Sequence, residues 1–167
     1  LFRAGARTSE GDIYVLDRRT GEPVLPVREV PAPQGAAEGD WVARTQPASA
    51  LTYEPPKLQG KDLWGATLID QMMCHIQFHS LRYEGRYTPP STQGTLVHPG
   101  NFGVFNWGGV AVDPVRQMVF STPAYLSFPA KMIPRADAET TYVYEQEPFQ
   151  NEKFGSPFAV GLAAVVP

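Results

Sequence analysis

Hydrophobic positions along this chain mostly come in short runs broken by Gly, Pro and Asp, and only one stretch carries a helical period. Asp12-Ile13-Tyr14-Val15-Leu16 reads as a strand, and Asp17-Arg18-Arg19-Thr20-Gly21 as the turn after it. Aspartate at the start of such a turn bonds the backbone ahead of it, and glycine at the end accepts positive φ. Glu22 to Pro26 then leads away, so the segment predicts the outer hairpin of an antiparallel meander with Arg18 and Arg19 at its solvated tip. Residues 1–10 show no clear period. Residues 62–84 predict a helix: Leu68, Ile69, Met72, Met73, Ile76 and His79 fall near one face, Asp62 or Thr67 can cap the start, and Gly85 can stop it. Farther on, Val110 and Val112, then Val119 and Phe120, flank Asp113-Pro114 as strand, turn and strand.

The segments between predict less. Residues 26–61 are rich in Pro, Ala, Gln and Gly and read as a long connection with little regular structure, anchored by Trp41, Leu51 and Tyr53. Residues 86–97 return to turn and strand, and Ser121 to Pro134 continues in aromatic, proline-flanked pieces. Residues 135–153 are polar and read as exposed. Phe154 to Pro167 is apolar, and such a stretch needs cover from another chain or from a continuation of this one. The length of 167 residues suits one domain, and Leu1 in place of an initiator methionine suggests a processed product or a piece of something larger. Pro (17) and Gly (15) are frequent enough to indicate many short strands and turns. A formal charge of −3 gives no electrostatic case for a nucleic-acid partner, and no apolar run has the length of a membrane span. The single cysteine, Cys74, allows no internal disulfide.

Two places carry candidate chemistry. The loop Gly100-Asn101-Phe102-Gly103-Val104-Phe105-Asn106-Trp107-Gly108-Gly109 combines aromatic faces, uncharged amides and glycines that let the backbone approach something flat. It reads either as a wall for a planar, polar-edged cofactor or as a buried aromatic corner of a sheet. His75 and His79 stand four apart on the predicted helix, a zinc-ligand spacing, but a third and fourth ligand are not apparent. The residues themselves read more simply as histidines at the edge of a core, with Cys74 as a small buried apolar neighbour.

Residues 11–21 (GDIYVLDRRTG) resemble the repeat hairpin of pyrroloquinoline-quinone (PQQ) dehydrogenases. A more selective block follows: Asp62-Leu63-Trp64-Gly65-Ala66-Thr67 to Arg82-Tyr83-Glu84-Gly85, Thr88-Pro89-Pro90-Ser91, and Gln93-Gly94-Thr95-Leu96. With Pro99-Gly100-Asn101, Trp107-Gly108-Gly109 and Val112-Asp113-Pro114, it resembles the membrane-bound glucose/quinate/shikimate/polyol branch over nearly the whole chain.

That resemblance implies an all-β fold: part, roughly two blades, of an eight-bladed quinoprotein β-propeller with one inserted helix. On this reading residues 1–25 are the repeat hairpin, 26–61 a long loop and 62–84 the helix. Residues 86–134 are the cofactor-facing loop and hairpin, and 135–167 an exposed loop and the start of the next blade. The implied cofactors are PQQ and a Ca²⁺ or Mg²⁺ ion whose ligands lie outside this chain. The implied reaction is oxidation of a sugar, polyol or quinate-type alcohol, glucose first. An aspartate base deprotonates the alcohol, a hydride passes to the metal-polarised C5 carbonyl of PQQ, and the electrons go on to ubiquinone. The implied partners are the remaining blades, and the implied location is the periplasmic face of the bacterial inner membrane behind an N-terminal anchor. Asn101, Asn106 and Trp107 match the segment that touches the quinone, Asn101 as an uncharged donor to a quinone oxygen. The family's catalytic aspartate falls upstream of this chain, so no catalytic residue is assigned within it. The chain departs from the pattern at Ser9, where a quinone-contacting lysine is expected; Arg7 substitutes for it only if the preceding strand is shifted. That departure keeps a second reading open, a non-catalytic propeller segment that binds protein partners.

Overall fold

The computed structural model describes residues 3–7, 10–100, 102–105, 109–138, 149–152 and 156–162, with backbone only for 3–7 and 149–152. In chain order its strands are β1 (Arg3–Arg7), β2 (Ile13–Asp17), β3 (Val27–Pro31) and β4 (Thr45–Ser49). After helix α1 (Leu68–Ser80) come β5 (Thr95–Val97), β6 (Val110–Asp113), β7 (Met118–Ser121), β8 (Phe128–Pro134), β9 (Phe149–Glu152) and β10 (Phe158–Leu162). The chain divides into two compact units: Leu1–Pro31 with Thr45–Pro56 and Pro99–Leu126, and Ala32–Arg44 with Lys57–His98 and Ser127–Pro167.

The first unit is a set of antiparallel ribbons. β1 pairs with β2 from Arg3↔Asp17 to Arg7↔Ile13. Within the aperiodic opening, Arg3–Arg7 is therefore a strand. Its sequence, Arg-Ala-Gly-Ala-Arg, has no large apolar side chain to alternate, so the ladder with β2 sets its conformation. The turn after β2 follows the sequence reading: Gly21, at φ +78°, donates to the Asp17 carbonyl at 2.7 Å, and the Asp17 carboxylate accepts from Arg19 N at 2.8 Å. Residues 26–61 are more regular than expected, because β3 and β4 pair from Val27↔Ser49 to Pro31↔Thr45. Pro31 and Pro47 disguise these strands in the sequence; a two-stranded ribbon has open edges, where a missing N–H is tolerated. β6 and β7 form the expected hairpin, with the Asp113 carboxylate accepting from Val115 N and Arg116 N at 2.9 and 3.0 Å. The core is Ile13, Val104 and Phe105, with Val15, Leu51, Tyr53, Val110 and Val119 packed on it. Of the three expected anchors, Leu51 and Tyr53 serve as such.

The second unit is built on a four-stranded antiparallel sheet in the order β5-β8-β10-β9. Its core is Ala37, Ala130, Met132, Phe158 and Val160, flanked by Val97 and Leu162. In the described part of the apolar segment near the end of the chain, residues 156–162, cover comes from within: β10 lies between β8 and β9, and Phe158, Ala159 and Val160 are buried. Trp41 anchors nothing here; it is 81% exposed.

The helix is shorter than its sequence period. Gly60–Asp62 is a separate 3-10 turn, and α1 begins only after Thr67. Thr67 Oγ1 accepts from Asp70 N at 3.2 Å while Asp70 Oδ2 accepts from Thr67 N at 3.0 Å, a reciprocal box worth about 1 kcal/mol. α1 ends at Ser80, well before Gly85, because the backbone of Arg82 is taken up by pairing: its N–H donates to Gly94 and its carbonyl accepts from Leu96, both at 3.0 Å. Gly85 instead serves a later turn at φ +110°. No residue of α1 is buried, so its apolar face does not meet the core implied by its periodicity.

Candidate cofactor site

The loop after Pro99 is tied down by backbone bonds in the first unit. Gly100 N–H donates to the Leu126 carbonyl at 2.7 Å, Gly103 N–H to Gly100 at 2.8 Å, and Ala124 N–H to Val104 at 3.0 Å. Gly103 has φ +76°, a conformation that glycine adopts without steric cost, and the residues after it turn inward. Val104 and Phe105 are buried, whereas Phe102 points outward and is exposed.

Tyr53 braces this arrangement. Its ring meets Phe105 edge-on, its hydroxyl donates to the Val119 carbonyl at 3.4 Å, and its own carbonyl accepts from the Tyr125 hydroxyl at 2.9 Å. Its N–H donates to the Gly11 carbonyl at 2.9 Å, joining the loop's support to the repeat hairpin. Gly11, at φ +102°, passes so near that an added Cβ would lie 3.1 Å from the backbone at Tyr53 and Glu54.

Above the braced loop lies an open cavity of about 170 Å³, lined by Phe102, Gly103, Val104, Phe105, Gly109, Thr122 and Ala124. Its walls are aromatic and aliphatic residues, glycines and Thr122, with no charged side chain among them. Such a surface can receive one face of a flat ring system; anionic substituents on that ring would need partners elsewhere. Asn101, Asn106 and Trp107, the residues expected to touch the cofactor, lie outside the described residues, as does Ser9. The described loop residues next to them line the cavity. Thr122, Ala124 and Tyr125 were not singled out in the sequence; their place follows from the Ala124–Val104 backbone bond, which carries no sequence signature. His98, just before the loop and also passed over, is a buried residue of the second unit with Nδ1 2.8 Å from Ser127 Oγ.

The helix residues considered for a metal are not a core edge. His79 is exposed, and His75 and Cys74 are partly exposed. Among the described residues no three His, Cys, Asp or Glu side chains converge as a metal-ligand group.

Comparison with known proteins decides the family. The model of the glucose/ethanol/alcohol PQQ dehydrogenase β-propeller domain matches residues 5–166. The chain belongs to this quinoprotein family. It is 56% identical over 136 residues to quinoprotein glucose dehydrogenase of Escherichia coli (strain K12), covering 81% of this chain and 17% of that protein. It is 47% identical over 164 residues to quinoprotein glucose dehydrogenase of Gluconobacter oxydans (strain 621H), covering 94% and 20%. A probable quinate dehydrogenase (quinone) of Xanthomonas campestris pv. juglandis is 45% identical over 129 residues, covering 76% and 16%. The chain therefore spans about a fifth or less of the length of these quinoproteins. No solved structure matches it significantly. Its ribbons and four-stranded sheet are pieces of the all-β propeller expected of a PQQ domain. Among the described residues no helix is long and apolar enough to cross a membrane.

Proposed function

We propose that this chain is the portion of a PQQ-dependent membrane-bound dehydrogenase that forms one wall of the quinone pocket. The observation that supports this most is the uncharged, glycine-opened cavity over Val104 and Phe105, on the loop that carries Asn101, Asn106 and Trp107. Its shape and chemistry fit one face of a flat quinone. In this role the backbone of Gly103 and the edge of Phe105 limit how deeply the ring sits, and Asn101 donates to a quinone oxygen. Phe102, exposed at the rim, shields the ring from water. Bound PQQ supplies the two-electron acceptor for the alcohol. The aspartate base and the ligands of a Ca²⁺ or Mg²⁺ ion are contributed by parts of the enzyme outside this chain.

The full-length protein oxidises a sugar, with glucose first because two of the relatives above carry that substrate in their names, or else a polyol or quinate-type alcohol. It works at the periplasmic face of the bacterial inner membrane and passes its electrons to ubiquinone. By itself this portion is inactive. The test is reconstitution of the full-length protein with PQQ and Ca²⁺ or Mg²⁺, followed by alcohol-dependent dye reduction over glucose, polyols and quinate. Turnover of glucose above the others supports the reading; no alcohol-dependent reduction with any of them contradicts it.

A further inference from the structure

His75 and His79 lie one turn apart on α1, with ring centroids separated by 6.3 Å and planes inclined by 31°. Both rings face Gly60 in the 3-10 turn that precedes the helix. A Cβ on Gly60 would lie 3.3 Å from Nδ1 and Cε1 of His75 and 3.5 Å from Nε2 of His79. One nitrogen of each imidazole therefore borders the same small space, and the missing side chain keeps it open. Gly60 is not in the left-handed region, so room rather than backbone freedom is what glycine supplies here. The rings are also restrained: Phe78 meets His79 edge-on at 5.3 Å and 84°, and Asp62 Oδ2 fixes the turn by accepting from Gln59 N at 2.8 Å.

We propose that His75 and His79 chelate a borderline divalent cation, of the Cu²⁺, Ni²⁺ and Zn²⁺ kind, over Gly60. Imidazoles four residues apart on a helix share one face, which is how metalloproteins present two nitrogen ligands at once. No third His, Cys, Asp or Glu among the described residues joins them, so water completes the shell. The affinity of such a site follows the Irving–Williams order, with Cu²⁺ ahead of Ni²⁺ and Zn²⁺. Ca²⁺ and Mg²⁺ require oxygen ligands and are refused, which separates this site from the ion of the quinone pocket. The chelate spans one turn of a helix with no buried residue, so the metal acts as a clasp on an element otherwise held by its cap.

The test is a Cu²⁺ or Zn²⁺ titration of the full-length protein in saturating Ca²⁺, with bound metal measured by equilibrium dialysis. Wild type is compared with His75→Ala, His79→Ala and Gly60→Ala. The expected result is a site that either histidine change weakens at least tenfold. Gly60→Ala, which keeps both imidazoles but fills the space between them, weakens it measurably. Helix content by circular dichroism identifies a variant that has lost α1; His75→Gln and His79→Gln then replace the alanine changes. Unchanged metal stoichiometry and affinity in the histidine variants, or displacement of the bound metal by Ca²⁺, overturns the proposal.

Discussion

The ring of Tyr53 stands edge-on to that of Phe105, with 5.3 Å between centroids and 79° between planes. Through this contact a residue 52 positions upstream holds the buried Val104-Phe105 part of the glycine-rich loop in place. An edge-on aromatic pair contributes about 1 kcal/mol beyond the area it covers. Tyr53→Phe keeps the pair and loses only the long hydroxyl bond to Val119, so it costs under about 1 kcal/mol. Tyr53→Ala removes the brace and costs about 2–4 kcal/mol. Urea denaturation of the full-length protein separates the two; equal effects would place the weight on the hydroxyl instead.

Gly65 lies against the first turn of α1, where a Cβ would sit 2.3 Å from Gln71 N and 2.7 Å from Gln71 Cα. Backbone atoms cannot yield as a flexible side chain does, so Gly65→Ala displaces the start of the helix at a cost of about 1–3 kcal/mol. Hydrogen exchange at the α1 amides should accelerate in this variant. Unaltered protection would mean that the turn before the helix absorbs the methyl group.

Arg82 joins three partners. Its guanidinium donates to Glu84 Oε1, to the Gly35 carbonyl at 2.5 Å and to the Gln34 carbonyl. The carbonyl bonds carry more of the effect than the ion pair, because the Glu84 side chain is 51% exposed and its charge is screened. Arg82→Lys keeps the charge but loses the fork, and costs about 1–3 kcal/mol; Glu84→Gln costs under about 1 kcal/mol. A double-mutant cycle in low and high salt measures both. A strongly salt-dependent loss in Arg82→Lys would reverse the assignment.

The Asp113 carboxyl titrates below its ordinary value of 3.8, first because it accepts from the Arg116 backbone N–H, then from the Arg116 side chain, and also from Val115 N–H. A carboxyl with a depressed folded pKa favours the folded hairpin above its unfolded pKa. That contribution fades as pH falls through the folded value. The β6–β7 turn should therefore hold unchanged at neutral pH and loosen only in acid below the usual carboxylate range. Carboxyl ¹³C shifts followed against pH report the midpoint; a midpoint above the ordinary value would contradict the geometry.

The sequence made plain those elements whose local chemistry matches their final setting. The Asp113-Pro114 hairpin and the Asp17–Gly21 turn are written in turn residues, and both are found. β1 was hidden because Arg-Ala-Gly-Ala-Arg has no alternation, and β3 and β4 because prolines occupy their open-edged ribbon. The period of Leu68, Ile69, Met72, Met73 and Ile76 located the helix and its sidedness. Periodicity cannot say what that side faces, and all five are 55–85% exposed. The candidate pocket divides in the same way. Its glycines and aromatics stood out as either a cofactor wall or a buried aromatic corner, whereas Thr122 and Ala124 reach it through long-range backbone pairing that no local pattern encodes. The identity of the cofactor came from the order of motifs, not from the physics of any single one.

The most direct test of the central claim is a PQQ titration of the full-length apoprotein, followed by absorbance, for wild type against Asn101→Asp. If the loop from Gly100 to Gly109 faces the quinone, replacing an uncharged donor by a carboxylate next to an anionic ring weakens binding at least tenfold. PQQ affinity equal to wild type, in a variant with the same helix and sheet content, would contradict the account.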